Sequence, residues 1–254
     1  MEKQLSAEER ARYRRQLILP EIGEQGQQRI KRATVLIAGL GGLGSIAAYY
    51  LAAAGVGHLK IVDMDRVAVD NLNRQILHLS TDIGTLKSES ARLKLAALNP
   101  WCRIEAMASR IDHESVNAMA AGCHLIMDGT DNLETRRILN RASLSNGIPY
   151  VFGAVGGFDG MVSTFIPGRT ACLECLFPAG VREPASEIGI IGPAAGVVAS
   201  LQSIEALKIL AGLKPGLAGA LMHFHGLSMR LKKTVVDPNP DCPAGCGEVP
   251  ESIF

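Results

Sequence analysis

Apolar positions follow two rhythms along this chain. Thr34-Val35-Leu36-Ile37-Ala38 is a continuous apolar, partly β-branched run, and His58-Leu59-Lys60-Ile61-Val62 reads as a second strand closed by Asp63-Met64-Asp65. Short apolar runs closed by turn residues suit strands buried on both faces of a parallel sheet. Between them, the Ala-rich segment Ser45 to Ala54 predicts a helix ended by Gly55, giving a βαβ unit. Ahead of the unit, a polar first turn and a short helix over Gln27 to Arg32 are expected. Ser88 to Leu98 predicts a helix that stops at Asn99-Pro100, because the residue before a proline is pushed out of helical geometry. Arg103 to Ala108 and His124 to Met127 predict further strands. Leu133, Ile138, Leu139 and Ala142 stand at helical spacing, so Asp131 to Ser145 predicts a helix closed by Gly147.

The last third changes character. Tyr150 to Gly153 and Met161 to Ile166 predict strands, followed by a Gly/Pro-rich loop from Phe177 to Pro193 and an apolar helix over Ala194 to Leu210. Two more strands are expected near Leu221 to Phe224 and Leu231 to Val236. Strands alternating with helices predict a doubly wound, Rossmann-like, mostly parallel α/β sheet with an additional C-terminal strand region. No internal repeat or low-complexity linker divides the sequence, so residues 1–254 are read as a single domain.

Composition narrows the function classes. The 254 residues carry Lys+Arg 26 against Asp+Glu 25, a formal net charge of +1, which supplies no global field toward nucleic acid or an anionic membrane. The first ten residues lack the apolar stretch of a secretory signal, and the most apolar run, Ile188 to Leu201, is shorter than the roughly 18 residues of a spanning candidate. A soluble, cytoplasmic chain is expected, with neither nucleic acid nor membrane as a partner.

Gly39-Leu40-Gly41-Gly42-Leu43-Gly44 contains the pattern G-x-G-x-x-G between a predicted strand and a predicted helix, with Asp63 and Asp65 closing the next strand. Glycines allow a tight turn and let a phosphate approach the helix N-terminus, whose free N–H groups favour an anion. The acids can take ribose hydroxyls. A packing turn or a nicotinamide dinucleotide would satisfy this motif as well as ATP. The polar cluster Asp70-Asn71-Leu72-Asn73-Arg74-Gln75, Lys87, and Asp128-Gly129-Thr130-Asp131-Asn132 separates these readings. In a doubly wound sheet these strand ends share one crevice. There Arg74 and Lys87 would neutralise a triphosphate, and Asp131 would hold Mg²⁺.

Cys172-Leu173-Glu174-Cys175 and Cys242-Pro243-Ala244-Gly245-Cys246 form two close cysteine pairs. In a reducing compartment two such pairs point to a closed, structural four-thiolate Zn²⁺ site. Unliganded thiols or a redox pair at Cys172 and Cys175 are the alternatives. Cys102 and Cys123, beside apolar strands, are expected in the core.

These motifs, in this order and nearly end to end, resemble the MoeB/ThiF/HesA group, bacterial relatives of the ubiquitin-activating enzymes. Arg12-Tyr13-Arg14-Arg15-Gln16, the Gly39 to Gly44 turn, Asp63-Met64-Asp65, Asn71 to Gln75, Lys87, Asp131-Asn132 and both cysteine pairs carry the likeness. The resemblance implies a ThiF/MoeB-like adenylation domain in which Gly42, Asp63, Asn71, Arg74, Lys87 and Asp131 bind ATP and Mg²⁺. It also implies a homodimer in which Arg15 reaches the neighbouring subunit's site. The implied substrate is the C-terminal Gly-Gly of a ubiquitin-like sulfur-carrier protein, activated as an acyl-adenylate with release of pyrophosphate. The sequence departs from the group twice. Three residues separate Cys242 from Cys246 where two are usual, and Ala185 stands where relatives often carry a loop cysteine before Gly192-Pro193. The second departure implies an external persulfide sulfur donor. A tRNA-modifying dehydratase branch, an NAD-dependent dehydrogenase and a catalytically silent nucleotide-binding scaffold are the competing readings.

Overall fold

Ser6 accepts a hydrogen bond from the Glu9 N–H, and the Glu9 carboxylate accepts from the Ser6 N–H at 2.8 Å. This reciprocal cap opens helix α1 (Ala7–Arg12), where the sequence reading expected only a polar turn. The computed structural model describes residues 4–178, 180–181 and 188–246. Helices α2 (Arg14–Leu17) and α3 (Gly23–Arg32) follow, then β1 (Thr34–Ala38), α4 (Gly42–Ala53), β2 (His58–Val62), α5 (Lys87–Leu98), β3 (Arg103–Met107), α6 (Val116–Ala120), β4 (Leu125–Asp128) and α7 (Leu133–Asn146). The chain continues through β5 (Tyr150–Gly156), β6 (Asp159–Phe165), α8 (Leu173–Leu176), α9 (Gly192–Ala211), β7 (Ala220–His225) and β8 (Arg230–Val235).

Among the described residues eight strands form one sheet, in the order β3-β2-β1-β4-β5-β6-β7-β8. The first five are parallel, and β6, β7 and β8 join antiparallel, so the expected C-terminal strands extend the same sheet. After β3 the chain returns to pair β4 with β1, and this reversal opens a crevice between the carboxyl ends of β1 and β4.

Alternate residues of β1 explain its unbroken apolar run. Val35 and Ile37 pack with α3, α4, α5 and α9 on one face, whereas Leu36 and Ala38 pack with α6, α7 and α8 on the other. Edge strand β8 is exposed along its length, and Arg230, Lys232 and Lys233 charge it against edge-to-edge pairing.

Three further sequence expectations change. Helix α4 begins at Gly42 and not at Ser45, which puts the glycine turn at the helix N-terminus. Short α6 and α8 were not anticipated, because neither is long enough to show a helical period. Helix α9 has 20 residues and contains an 18-residue window with a mean hydropathy of 1.4, long and apolar enough to cross a membrane by length and composition. One face of it packs on α3, α4, β5 and β6, with Val198, Ala199 and Ala206 fully buried, while Ile204 is exposed and Val197 and Leu201 are half-buried. The length argument against a spanning segment is therefore replaced by packing.

Candidate nucleotide crevice and cysteine cluster

The glycine turn is shaped by its own backbone. Gly39 adopts φ +87°, a left-handed conformation that suits glycine, and a Cβ at Gly44 would lie 1.8 Å from the Gly39 carbonyl oxygen. Asp63, at the end of β2, accepts from the Leu40 N–H through Oδ2 at 2.7 Å and from the Asp65 N–H through Oδ1 at 2.8 Å. Burial raises the Asp63 carboxyl above its usual range, and the charge of Lys87 opposes that rise.

Lys87 is the first residue of α5. Its N–H donates to the Asp65 carbonyl at 2.9 Å and its Nζ to the Asp65 carboxylate at 2.9 Å, so backbone and side chain pair with one residue. The lysine is 6% exposed. A cation this deep is held by its carboxylate and remains directed at the strand ends.

The Val69 to His78 segment closes the opposite wall. Arg74 donates to the Asp70 carbonyl at 2.7 Å and to Asn73 Oδ1 at 3.1 Å, and its side-chain stem packs beside Gly42 at the start of α4. The Asn73 carbonyl lies against Gly192, the first residue of α9. Asn71 accepts from the Ala68 N–H at 3.3 Å. Gln75 is 5% exposed, its Nε2 near Gly41, and its Oε1 has no partner. An orphaned buried acceptor beside a phosphate-type turn fits a ligand that brings a donor.

Beyond β4, Gly129 packs against Gly39, bringing the Thr130-Asp131-Asn132 loop to the glycine turn. Asn132 caps α7 by accepting from the Thr135 N–H at 2.8 Å. Asp131 is exposed and accepts from Asn132 Nδ2 at 3.2 Å, which leaves most of its carboxylate open for a hard cation such as Mg²⁺.

Arg15 is the one residue expected at the nucleotide that the chain does not bring to this crevice. It is exposed on α2, and neighbouring Gln16 donates to the Ala54 carbonyl at 3.0 Å. Ala54 caps the far end of α4, twelve helical residues and roughly 18 Å from the glycine turn.

Sequence reasoning gave no supporting role to two residues that hold the crevice, Asp128 of the polar cluster and His78. Asp128 is fully buried and accepts from Tyr150 Oη at 2.8 Å, from the Thr130 N–H at 2.9 Å, from Thr130 Oγ1 at 2.7 Å and from Arg136 Nε at 3.3 Å. Arg136 also donates to the Thr130 carbonyl at 2.8 Å, which fixes the loop that presents Asp131. The aspartate at the end of an apolar run was the available signal. The second support, His78, follows the Arg74-Gln75 pair by three residues and carries no motif of its own.

Away from the crevice, Cys172, Cys175, Cys242 and Cys246 place their sulfurs within 4.8 Å of one another. Tetrahedral zinc–thiolate bonds of about 2.3 Å require sulfur separations near 3.8 Å, so the set fits a closed four-sulfur metal site despite its longer second spacing. Short helix α8 carries the first pair, and Arg137 of α7 steadies it by pairing with Glu174 and donating to the Phe177 carbonyl at 3.0 Å. Cys102 and Cys123 are buried in the core as expected, and burial pushes the Cys102 thiol up to about 12. Pro184, Ala185, Ser186 and Glu187 lie outside the described residues.

A ThiF family model matches residues 13–244. The chain belongs to the ThiF family. A sulfur carrier protein adenylyltransferase of Thermus thermophilus is 42% identical to this ThiF-family chain, over 96% of it and 93% of the relative. A SAMP-activating enzyme E1 of Haloferax volcanii is 38% identical over 96% of the chain and 91% of that protein. Among solved structures, that of E. coli MccB with MccA-N7isoASN superposes with a TM-score of 0.85 at 20% identity, over 97% of this chain and 76% of that one, a likeness of fold.

Proposed function

We propose that this ThiF-family chain, acting over residues 1–254 as one adenylation unit, uses ATP to adenylate the C-terminal Gly-Gly carboxylate of a ubiquitin-like sulfur-carrier protein. The observation that carries the reading is the convergence of the glycine turn, the Arg74 stem beside Gly42, and buried Lys87 on one crevice between β1 and β4. The two relatives named adenylyltransferase and activating enzyme, matched over nearly their whole length, supply the reaction class. The same names weigh against a dehydrogenase, a tRNA-directed branch and a silent scaffold.

In the reaction, a carboxylate oxygen of the carrier attacks the α-phosphorus of ATP, forming an acyl–O–P bond. The bond from that phosphorus to the bridging oxygen breaks, and pyrophosphate leaves with the electron pair. Gly39, Gly41 and Gly42 admit the phosphates to the N-terminus of α4, Asp63 and Asp65 lie where ribose hydroxyls would be held, and Asn71, Asn73, Gln75 and Asn132 line the walls. Arg74 and Lys87 stabilise negative charge on the phosphates in a site that is already organised. Asp131 would hold Mg²⁺, whose chemistry there is neutralisation of phosphate charge.

A homodimer is part of the proposal. Ile46, Tyr50, Ile76, Pro193, Val197 and Leu201 line an apolar groove of about 470 Å³, and Tyr50 is 51% and Ile76 59% exposed beside it. Such a face fits a second copy of the chain, and association there would let Arg15 serve the partner's crevice. We also assign zinc to the four-cysteine cluster. With those four thiols engaged and Cys102 and Cys123 buried, the described residues offer no free reactive thiol, so sulfur is supplied by a persulfide on a separate protein.

Exchange of labelled pyrophosphate into ATP tests the reading, because adenylation is reversible. Exchange is expected only with a carrier ending in Gly-Gly, and carrier-independent exchange would overturn the substrate assignment.

A further inference from the structure

Leu40, the residue between the first two glycines of the turn, is held through both of its backbone polar groups. Its N–H donates to Asp63 at 2.7 Å, and its carbonyl faces His78 Nε2 at 3.3 Å. His78 is 3% exposed and lies outside the polar cluster that carries the chemistry of the crevice. Its other ring nitrogen, Nδ1, is 2.9 Å from Ser90 Oγ on α5.

The partners assign the tautomer. A carbonyl oxygen only accepts, so Nε2 carries the proton and donates to Leu40, and Nδ1 of the neutral ring accepts from the Ser90 hydroxyl. The hydroxyl is oriented in turn, because Lys94 Nζ donates to Ser90 Oγ at 2.8 Å and is itself paired with Asp82. A directional chain therefore runs from Lys94 through Ser90 and His78 to the Leu40 carbonyl. Carbonyl and N–H of one trans peptide point in opposite directions. Drawing the Leu40 carbonyl toward His78 turns the N–H of Gly41 away from it, beside the first amides of α4, which have no partner within the helix.

Resting on the reading of this crevice as an ATP site, we propose that His78 is a positioning residue that fixes the Leu40–Gly41 peptide so that the Gly41 N–H is aimed at the nucleotide phosphate before ATP arrives. Asp63 orients the preceding peptide, and His78 orients the one that a phosphate meets. A donor held in place loses no orientational freedom on binding, so the effect falls on ATP affinity more than on turnover.

Equilibrium dialysis of ATP against the purified chain tests this without any carrier. His78→Phe keeps a planar ring but removes the donor, and ATP affinity is expected to fall about tenfold, with KM for ATP rising in the exchange assay while kcat changes less than twofold. His78→Gln places an amide donor near Nε2 and is expected to restore affinity to within about twofold of the natural chain. Ser90→Ala, which frees the ring to adopt the other tautomer, should weaken ATP about threefold and decides the matter if the Phe variant does not fold. Unchanged affinity in folded Phe or Ala variants, or a Gln variant as weak as Phe, would overturn the role of His78. A natural chain that binds no ATP would overturn the nucleotide reading itself, and the two failures are told apart by that control.

Discussion

Lys87 Nζ sits 2.9 Å from an Asp65 carboxylate oxygen, and the lysine side chain is 7% exposed while the aspartate is 60% exposed. The carboxylate thus meets solvent at the crevice while the ammonium stays behind it, a cation held ready for an incoming anion. Lys87→Met preserves length and removes the charge. Carrier-dependent pyrophosphate exchange is expected to fall by roughly a hundredfold or more, as for loss of a donor aimed at developing charge. Circular dichroism should show the fold retained. Exchange near the natural rate would remove Lys87 from the catalytic site.

Arg15 and Asp131 lie at opposite ends of the fold in one chain, which makes the dimer testable. Arg15→Ala and Asp131→Ala are each expected to be inactive alone. Mixed under conditions of verified subunit exchange, they should recover activity, because a heterodimer contains one crevice with both residues natural. No recovery would mean that Arg15 acts in its own subunit or only in packing.

The cysteine cluster predicts about one zinc per chain in reduced protein, by elemental analysis. Cys172→Ser and Cys246→Ser should each lose it. Structural zinc contributes on the order of 10 kcal/mol of apparent binding energy, so proteolysis should then cut readily around Asn239 to Cys246. Metal-free protein with an intact tail would refute the assignment.

His78 also makes stability depend on pH. Burial lowers its pKa from the usual 6.5, the charges of Lys94 and Lys87 add to the lowering, and the Leu40 hydrogen bond and Asp82 oppose it. Below 6.5 the unfolded chain takes up a proton that the folded chain resists, so the His78 contribution is complete above that value and is lost as pH falls through the folded pKa. His58, also lowered by burial, is present in both proteins and cancels in a comparison. The melting-temperature advantage of the natural chain over His78→Gln should therefore shrink between pH 7 and pH 5. An advantage that grows on acidification would contradict the neutral ring.

What the linear sequence determined was local. The segments Thr34 to Ala38 and His58 to Val62 give strands β1 and β2 with their observed bounds, because β1, buried on both faces, is apolar from Val35 to Ala38, and β2 alternates half-buried His58 and Lys60 with buried Leu59 and Ile61. The glycine spacing and the acid at the next strand's end mark the nucleotide turn, because only glycine tolerates the 1.8 Å approach at Gly44. Tertiary structure decided whatever depends on distant segments meeting. The hold on Leu40 comes from Asp63 and His78, 23 and 38 residues away, and no periodicity encodes such a meeting. Arg15 reads as part of one motif set with Gly41 and Arg74, yet α4 carries the chain back across the sheet and leaves it at the opposite end. Cys172 and Cys242 are 70 residues apart, and their sulfurs come to 3.6 Å only because α8 and the C-terminal segment dock beside α7. Side-chain type is written in the sequence, but separation in space is set by the packing of helices on the sheet.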